Sequence, residues 1–77
     1  MRAFDILNKL KWTNQLDRAE IVILHRGAPD DRKTISGKEI VELGRDRFLT
    51  QDSCIPLHRV LEVRLEGKIL WRRHKQE

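Results

Sequence analysis

Ile55-Pro56-Leu57-His58-Arg59-Val60-Leu61-Glu62-Val63 is the stretch on which the reading of the fold turns. Aliphatic residues recur at every second position over much of it, the mark of a strand with one buried face. Pro56 donates no backbone hydrogen bond, so it belongs at the start of such a strand or on a sheet edge. Extended to Leu65, the alternation puts Leu57, Arg59, Leu61, Val63 and Leu65 on one face and His58, Val60, Glu62, Arg64 and Glu66 on the other. Arg59 is then the misfit. A guanidinium among four aliphatic side chains must snorkel, pair with an acid or meet an anion, because an unpaired buried charge is very costly. His58 falls on the more polar face, close to solvent.

A second His-Arg pair stands in the first half of the chain. Glu20-Ile21-Val22-Ile23-Leu24-His25-Arg26 carries four consecutive apolar residues, three of them β-branched, which predicts a central strand buried on both faces. Gly27-Ala28-Pro29-Asp30-Asp31 breaks it with turn residues. His25 and Arg26 thus fall where a strand meets a loop, a common place for binding residues because the sheet holds them and the loop leaves them open.

From Arg2 to Trp12, Ala3, Leu7 and Leu10 recur at helical spacing with Phe4 and Ile6 beside them, which predicts an amphipathic helix of about three turns. Trp12 just past its end either seals one edge of the core or stacks on a base. Thr13 to Ala19 reads as a connection. Arg32 to Ile35 fits a short strand, and Ser36-Gly37-Lys38-Glu39 has the spacing of a capping box. Residues 37–43 suit helix or strand; the favoured reading is one helical turn leading into a hairpin that turns at Gly44-Arg45-Asp46-Arg47 and returns through Phe48-Leu49-Thr50. Glu66-Gly67-Lys68 turns into a last strand, Ile69 to Arg72. The fold expected is α+β: an N-terminal amphipathic helix on a small, mainly antiparallel sheet of about four to five strands.

The 77 residues show no break in composition and are read as one domain, 1–77, near the lower limit for burying a core without disulfides or metal. Cys54 is the only cysteine, so there is no disulfide framework or cysteine zinc site, and a reducing cytoplasm is the expected compartment. Neither a signal peptide nor a membrane-length apolar run is present, and no membrane partner is expected. The net charge is +4, with six basic residues (Arg59, Arg64, Lys68, Arg72, Arg73, Lys75) against three acidic ones (Glu62, Glu66, Glu77) from Ile55 onward. A basic surface of this kind suits a polyanion such as nucleic acid, or serves solubility alone.

Arginine presents a planar fork of donors that matches phosphate oxygens two at a time, and a neighbouring histidine adds one or two donors. If their strands are neighbours, His25, Arg26, His58 and Arg59 converge on one phosphate. The competing reading makes the histidines ordinary strand residues and pairs the arginines with acids such as Asp30 or Glu62. Two histidines also suit acid-base opening of a phosphate ester. Yet neither is followed at the second position by Ser or Thr, the pattern of two-histidine phosphoesterases: the sequences are His25-Arg26-Gly27 and His58-Arg59-Val60. Three scattered histidines with Asp30 and Asp31 make a weak metal site, no glycine loop for phosphate is present, and no cofactor is expected. Arg72-Arg73-His74-Lys75 beside Trp71 could track a nucleic-acid backbone or form a solvated tail.

Leu7-Asn8-Lys9-Leu10-x-Trp12, His25-Arg26-Gly27 with its acidic turn, Gly37-x-x-Ile40, and above all Ile55-Pro56-Leu57-His58-Arg59-Val60 leading to Gly67 and Trp71 resemble the RNA cyclic group end recognition domain, a small, largely archaeal family formerly of unknown function. The resemblance spans nearly the whole chain. It implies a compact α+β unit, found alone or joined to RNA-processing enzymes, that recognises RNA ends bearing a 2′,3′-cyclic phosphate or a related group. It further implies that His25, Arg26, His58 and Arg59 bind the end; the basic last third and the indole past the helix add Arg64, Lys68, Arg72, Arg73 and Trp12 as expected basic or stacking support. An RNA-binding module is therefore expected, not an enzyme; the alternatives are a phosphoesterase opening cyclic phosphates and a docking domain for an RNA-processing enzyme. Cys54 belongs to no part of the pattern.

Overall fold

The computed structural model describes residues 2–73. The chain opens with helix α1, Ala3–Trp12, which buries Ala3, Ile6, Leu7 and Leu10. These positions follow the i, i+3, i+4, i+7 spacing of one helical face. Asp5 accepts from the Arg2 backbone N–H at 2.9 Å at the start. The end is a left-handed cap: Asn14 has φ of 59°, its N–H reaches the Lys11 carbonyl, and the Gln15 N–H reaches the Leu10 carbonyl at 2.8 Å. Trp12 is the last helical residue and 76% exposed. It does not seal the core: two residues and roughly 200° of helix rotation beyond the buried Leu10, it falls on the face opposite the buried stripe.

Among the described residues seven strands follow: β1 Ala19–Leu24, β2 Arg32–Ser36, β3 Glu42–Leu43, β4 Arg47–Leu49, β5 Cys54–Pro56, β6 Val60–Leu65 and β7 Lys68–Arg72. They form two antiparallel sheets, one of four strands in the order β2-β1-β6-β7 and one of three in the order β3-β4-β5. The expected single sheet of about four to five strands is thus replaced by two. β1 is interior, and its Ile21, Val22 and Ile23 are buried, as the apolar run requires. Ser36 and Glu39 close a capping box around the 3₁₀ turn Gly37–Glu39, which leads into the β3–β4 hairpin. Gly37 is required there: a Cβ would stand 1.8 Å from the Leu16 carbonyl oxygen.

The stretch from Ile55 to Leu65 is where the sheets meet, and it is not one strand. β5 ends at Pro56 on the edge of the small sheet, the 3₁₀ turn Leu57–Arg59 follows, and β6 starts at Val60 in the large one. The β1–β6 register then slips, with Ile23 opposite Val60 but Val22 opposite Glu62. Leu61 is the extra residue, as in a β-bulge. Turn and bulge together undo the simple alternation. Val60 and Val63, assigned to opposite faces by alternation, both lie in one core cluster with Phe48, Leu57, Ile21 and the buried face of α1. Arg59 stands on no aliphatic face; it is exposed in the turn.

The buried charge is instead Glu62, 3% exposed. Its carboxylate accepts from Arg64 Nε, and its other oxygen from Arg72 Nε at 3.3 Å. Burial pushes the Glu62 carboxyl up, but Arg64 and then Arg72 outweigh it by hydrogen bonding and charge, holding it below its ordinary value.

Candidate functional site

β1 and β6 are adjacent and antiparallel, so the end of one lies beside the beginning of the other. His25 and Arg26 follow β1, and His58 and Arg59 precede β6. The pairing therefore brings the two His-Arg pairs to the same end of the sheet although 33 positions separate them in sequence. Leu24, His25, Arg26, His58 and Arg59 line a single recess of about 510 Å³. His25, Arg26, His58 and Arg59 are all exposed.

Both backbones are held. The His25 N–H donates to the Asp31 carbonyl at 2.8 Å, the Ala28 N–H to the His25 carbonyl at 3.2 Å, and the Gly27 N–H to Asp31 Oδ1 at 3.3 Å. Gly27 has φ of +96° with open space beyond it, so glycine serves the backbone conformation there. Asp30 and Asp31 also adopt left-handed φ, 57° and 54°, which aspartate tolerates better than most residues. Arg26 thus projects from a turn whose Asp31 carboxylate is engaged with backbone.

The second turn is anchored on both flanks. Leu57 and Val60 are buried, 6% and 0% exposed, and the two polar residues between them face outward. The Leu57 N–H donates to the Asp46 carbonyl at 2.8 Å. Arg73 reaches across from the end of β7, giving Nη2 to the Leu57 carbonyl at 3.0 Å and Nε to the Val60 carbonyl at 2.9 Å. Its guanidinium lies 5.3 Å from the centroid of Trp71. Arg73 is therefore a clamp on the turn that presents His58 and Arg59.

Among the described residues none of His25, Arg26, His58 and Arg59 forms an ion pair. Neither Asp30 nor Glu62 pairs with them: Glu62 is taken by Arg64 and Arg72, and Asp30 forms no ion pair among the described residues. Two guanidiniums and two imidazoles at the mouth of one recess form a donor set suited to a phosphate group. No group of three or more His, Cys, Asp or Glu side chains placed to hold a metal occurs among the described residues.

The residues expected to support the site are distributed differently. Arg64 and Arg72 are committed to Glu62. Lys68 opens β7 at the far end of the β6–β7 hairpin, about 17 Å along the strand from the His58 turn. Trp12 sits at the end of α1 away from Phe4, about 12 Å along the helix axis. Arg73 is close, but as the clamp. His74 and Lys75 lie outside the described residues. Sequence reasoning missed Leu24, which lines the recess, and the role of Arg73; no local signal marks an arginine that will reach carbonyls thirteen and sixteen residues back.

The family model described as MJ1316 RNA cyclic group end recognition domain matches residues 1–73. The chain is similar to the UPF0248 protein MJ1316 of Methanocaldococcus jannaschii, 44% identical over 73 residues that cover 90% of each chain. A UPF0248 protein of Thermococcus onnurineus is 39% identical over 74 residues, 92% of this chain and 84% of the relative. The UPF0248 protein PAE2518 of Pyrobaculum aerophilum is 37% identical over 75 residues, 91% of this chain and 96% of its own. No solved structure matches the fold.

Proposed function

The chain belongs to the MJ1316 RNA cyclic group end recognition domain family, and from that membership and the geometry of the recess we propose that it is an RNA-binding module for processed RNA termini such as 2′,3′-cyclic phosphates. Arg26 and Arg59 hold the terminal phosphate, and His25 and His58 donate to its oxygens or to the ribose. The observation that carries this reading is the convergence of two His-Arg pairs, remote in sequence and without ion-pair partners among the described residues, on one recess.

A cyclic phosphate has one negative charge and two non-bridging oxygens, a match for a guanidinium fork, whereas an open 3′-phosphate carries more charge. Preference for the cyclic end would therefore reflect shape, since charge alone favours the open form. Titrating oligoribonucleotides that end in cyclic phosphate, 3′-phosphate or 3′-hydroxyl tests the proposal; equal affinities for all three reject end recognition.

A second reading is favoured by both imidazoles lining the recess: one acts as base and the other as acid to open the cyclic ester with water. Long incubation of a cyclic-ended oligonucleotide with stoichiometric protein decides it, because an unchanged end rules out hydrolysis. The setting that goes with the binding reading is a reducing cytoplasm, where the exposed free thiol of Cys54 persists.

A further inference from the structure

The recess shares His58 with a larger groove of about 800 Å³. Arg2 and Phe4 at the start of α1, Arg45 at the tip of the β3–β4 hairpin, and Leu70, Trp71 and Arg73 at the end of the large sheet line it. Among the described residues Asp46 is the one carboxylate on its wall. Arg72 also borders it, but Glu62 answers that charge at 3.3 Å. Arg2 and Arg45 are exposed and form no ion pair among the described residues. Arg73 donates to carbonyl oxygens and lies over a ring, which leaves its positive charge unneutralised. Three guanidiniums thus face one carboxylate.

The same groove has an apolar side. Leu70 is 40% exposed, and Phe4 and Trp71 are half-buried at its wall. A small anion would have no use for that surface. A single nucleic-acid strand matches both halves, with phosphodiesters for the guanidiniums and ribose or base for the apolar wall. Because His58 borders both spaces, a strand whose last phosphate lies in the recess has its preceding nucleotides beside the groove.

We propose that this groove holds the nucleotides preceding the terminus of a single-stranded RNA, with phosphodiesters on Arg2 and Arg45 and a ribose or base against Phe4, Leu70 and Trp71. The proposal rests on the end-recognition reading and narrows its substrate to an oligonucleotide end as opposed to a cyclic mononucleotide.

The test titrates the full chain with 2′,3′-cyclic CMP and with cyclic-ended di- and trinucleotides, and repeats the series on Arg45→Ala and Arg2→Ala after their melting temperatures are checked. The trinucleotide is expected to bind on the order of ten-fold tighter than the mononucleotide. Its log-log salt slope should be steeper by roughly 1.4, as two more phosphates are neutralised. Each substitution should shrink the ratio of trinucleotide to mononucleotide affinity. Equal affinities across the length series overturn the groove, as does a length gain that survives both substitutions. Failure of the underlying reading looks different: cyclic-ended and hydroxyl-ended trinucleotides then bind alike.

Discussion

Ile23 of β1 stands directly opposite Val60 of β6. His25 and Arg26 lie just beyond the first residue and His58 and Arg59 just before the second, so this one register position places all four side chains at the same end of the sheet. The bulge that follows fixes it, because both Ile23 and Val60 must enter the core.

Arg26→Ala and Arg59→Ala are expected to weaken binding of a cyclic-ended oligoribonucleotide by about ten-fold or more each, the scale of a lost charge-assisted hydrogen bond. Both side chains are exposed and neither forms an ion pair among the described residues, so stability should change by less than about 0.5 kcal/mol. Lysine at either position should recover only part of the affinity, since it lacks the planar fork. Calorimetric titration together with thermal melting checks both halves.

Arg73→Ala removes both donors that hold the Leu57 and Val60 carbonyls. A loss of about 1–3 kcal/mol of stability is expected. RNA-end binding should weaken as well, because the turn carrying His58 and Arg59 loses its clamp. Urea unfolding and the oligonucleotide titration should therefore move together, unlike in the Arg26 variant.

Glu62 gives the chain an acid sensitivity with a defined sign. Its folded pKa is lowered, so its contribution to stability is complete above the unfolded carboxylate value of about 4.3 and is lost as pH falls through the lower folded value. Glu62→Gln is expected to cost about 1–3 kcal/mol at neutral pH, moderated because the Arg64 and Arg72 side chains are 38% and 65% exposed and can be solvated. The difference in melting temperature between the two proteins should narrow on acidification below about pH 4. A difference that stays constant down to pH 2 contradicts this.

Gly37→Ala should cost about 2–4 kcal/mol, because a Cβ at 1.8 Å from the Leu16 carbonyl oxygen forces backbone apart. Gly27→Ala meets no atoms but adopts a φ of +96°, so its cost comes from backbone conformation alone. Denaturant unfolding of the two variants separates close approach from conformational strain.

What was legible in the sequence is what local chemistry determines. The β-branched run of β1, the glycine-proline-aspartate turn after it, and the Ser36–Glu39 capping box all appear where their residues put them. The stretch from Ile55 to Leu65 misled because a period of two counts residues without detecting a turn. Leu57 and Val60, three apart with two polar residues between, equally fit one turn of 3₁₀ helix, and the bulge at Leu61 restores the core face afterwards. Arg59 therefore looked like a buried misfit while being exposed, and Glu62, placed by alternation on the more polar face, is buried. Its partner Arg72, ten residues away, is set by the β6–β7 pairing, which composition does not reveal. The four site residues were legible as types; their adjacency came from strand order.

The central claim is that both His-Arg pairs act on one ligand. The most direct measurement follows the imidazole resonances of His25 and His58 by NMR while a short cyclic-ended oligoribonucleotide is added. Both rings are expected to shift along curves described by a single dissociation constant, and neither to follow that curve with a hydroxyl-ended oligonucleotide of the same sequence. Movement of one ring only, or of the two with separate dissociation constants, would contradict a shared site.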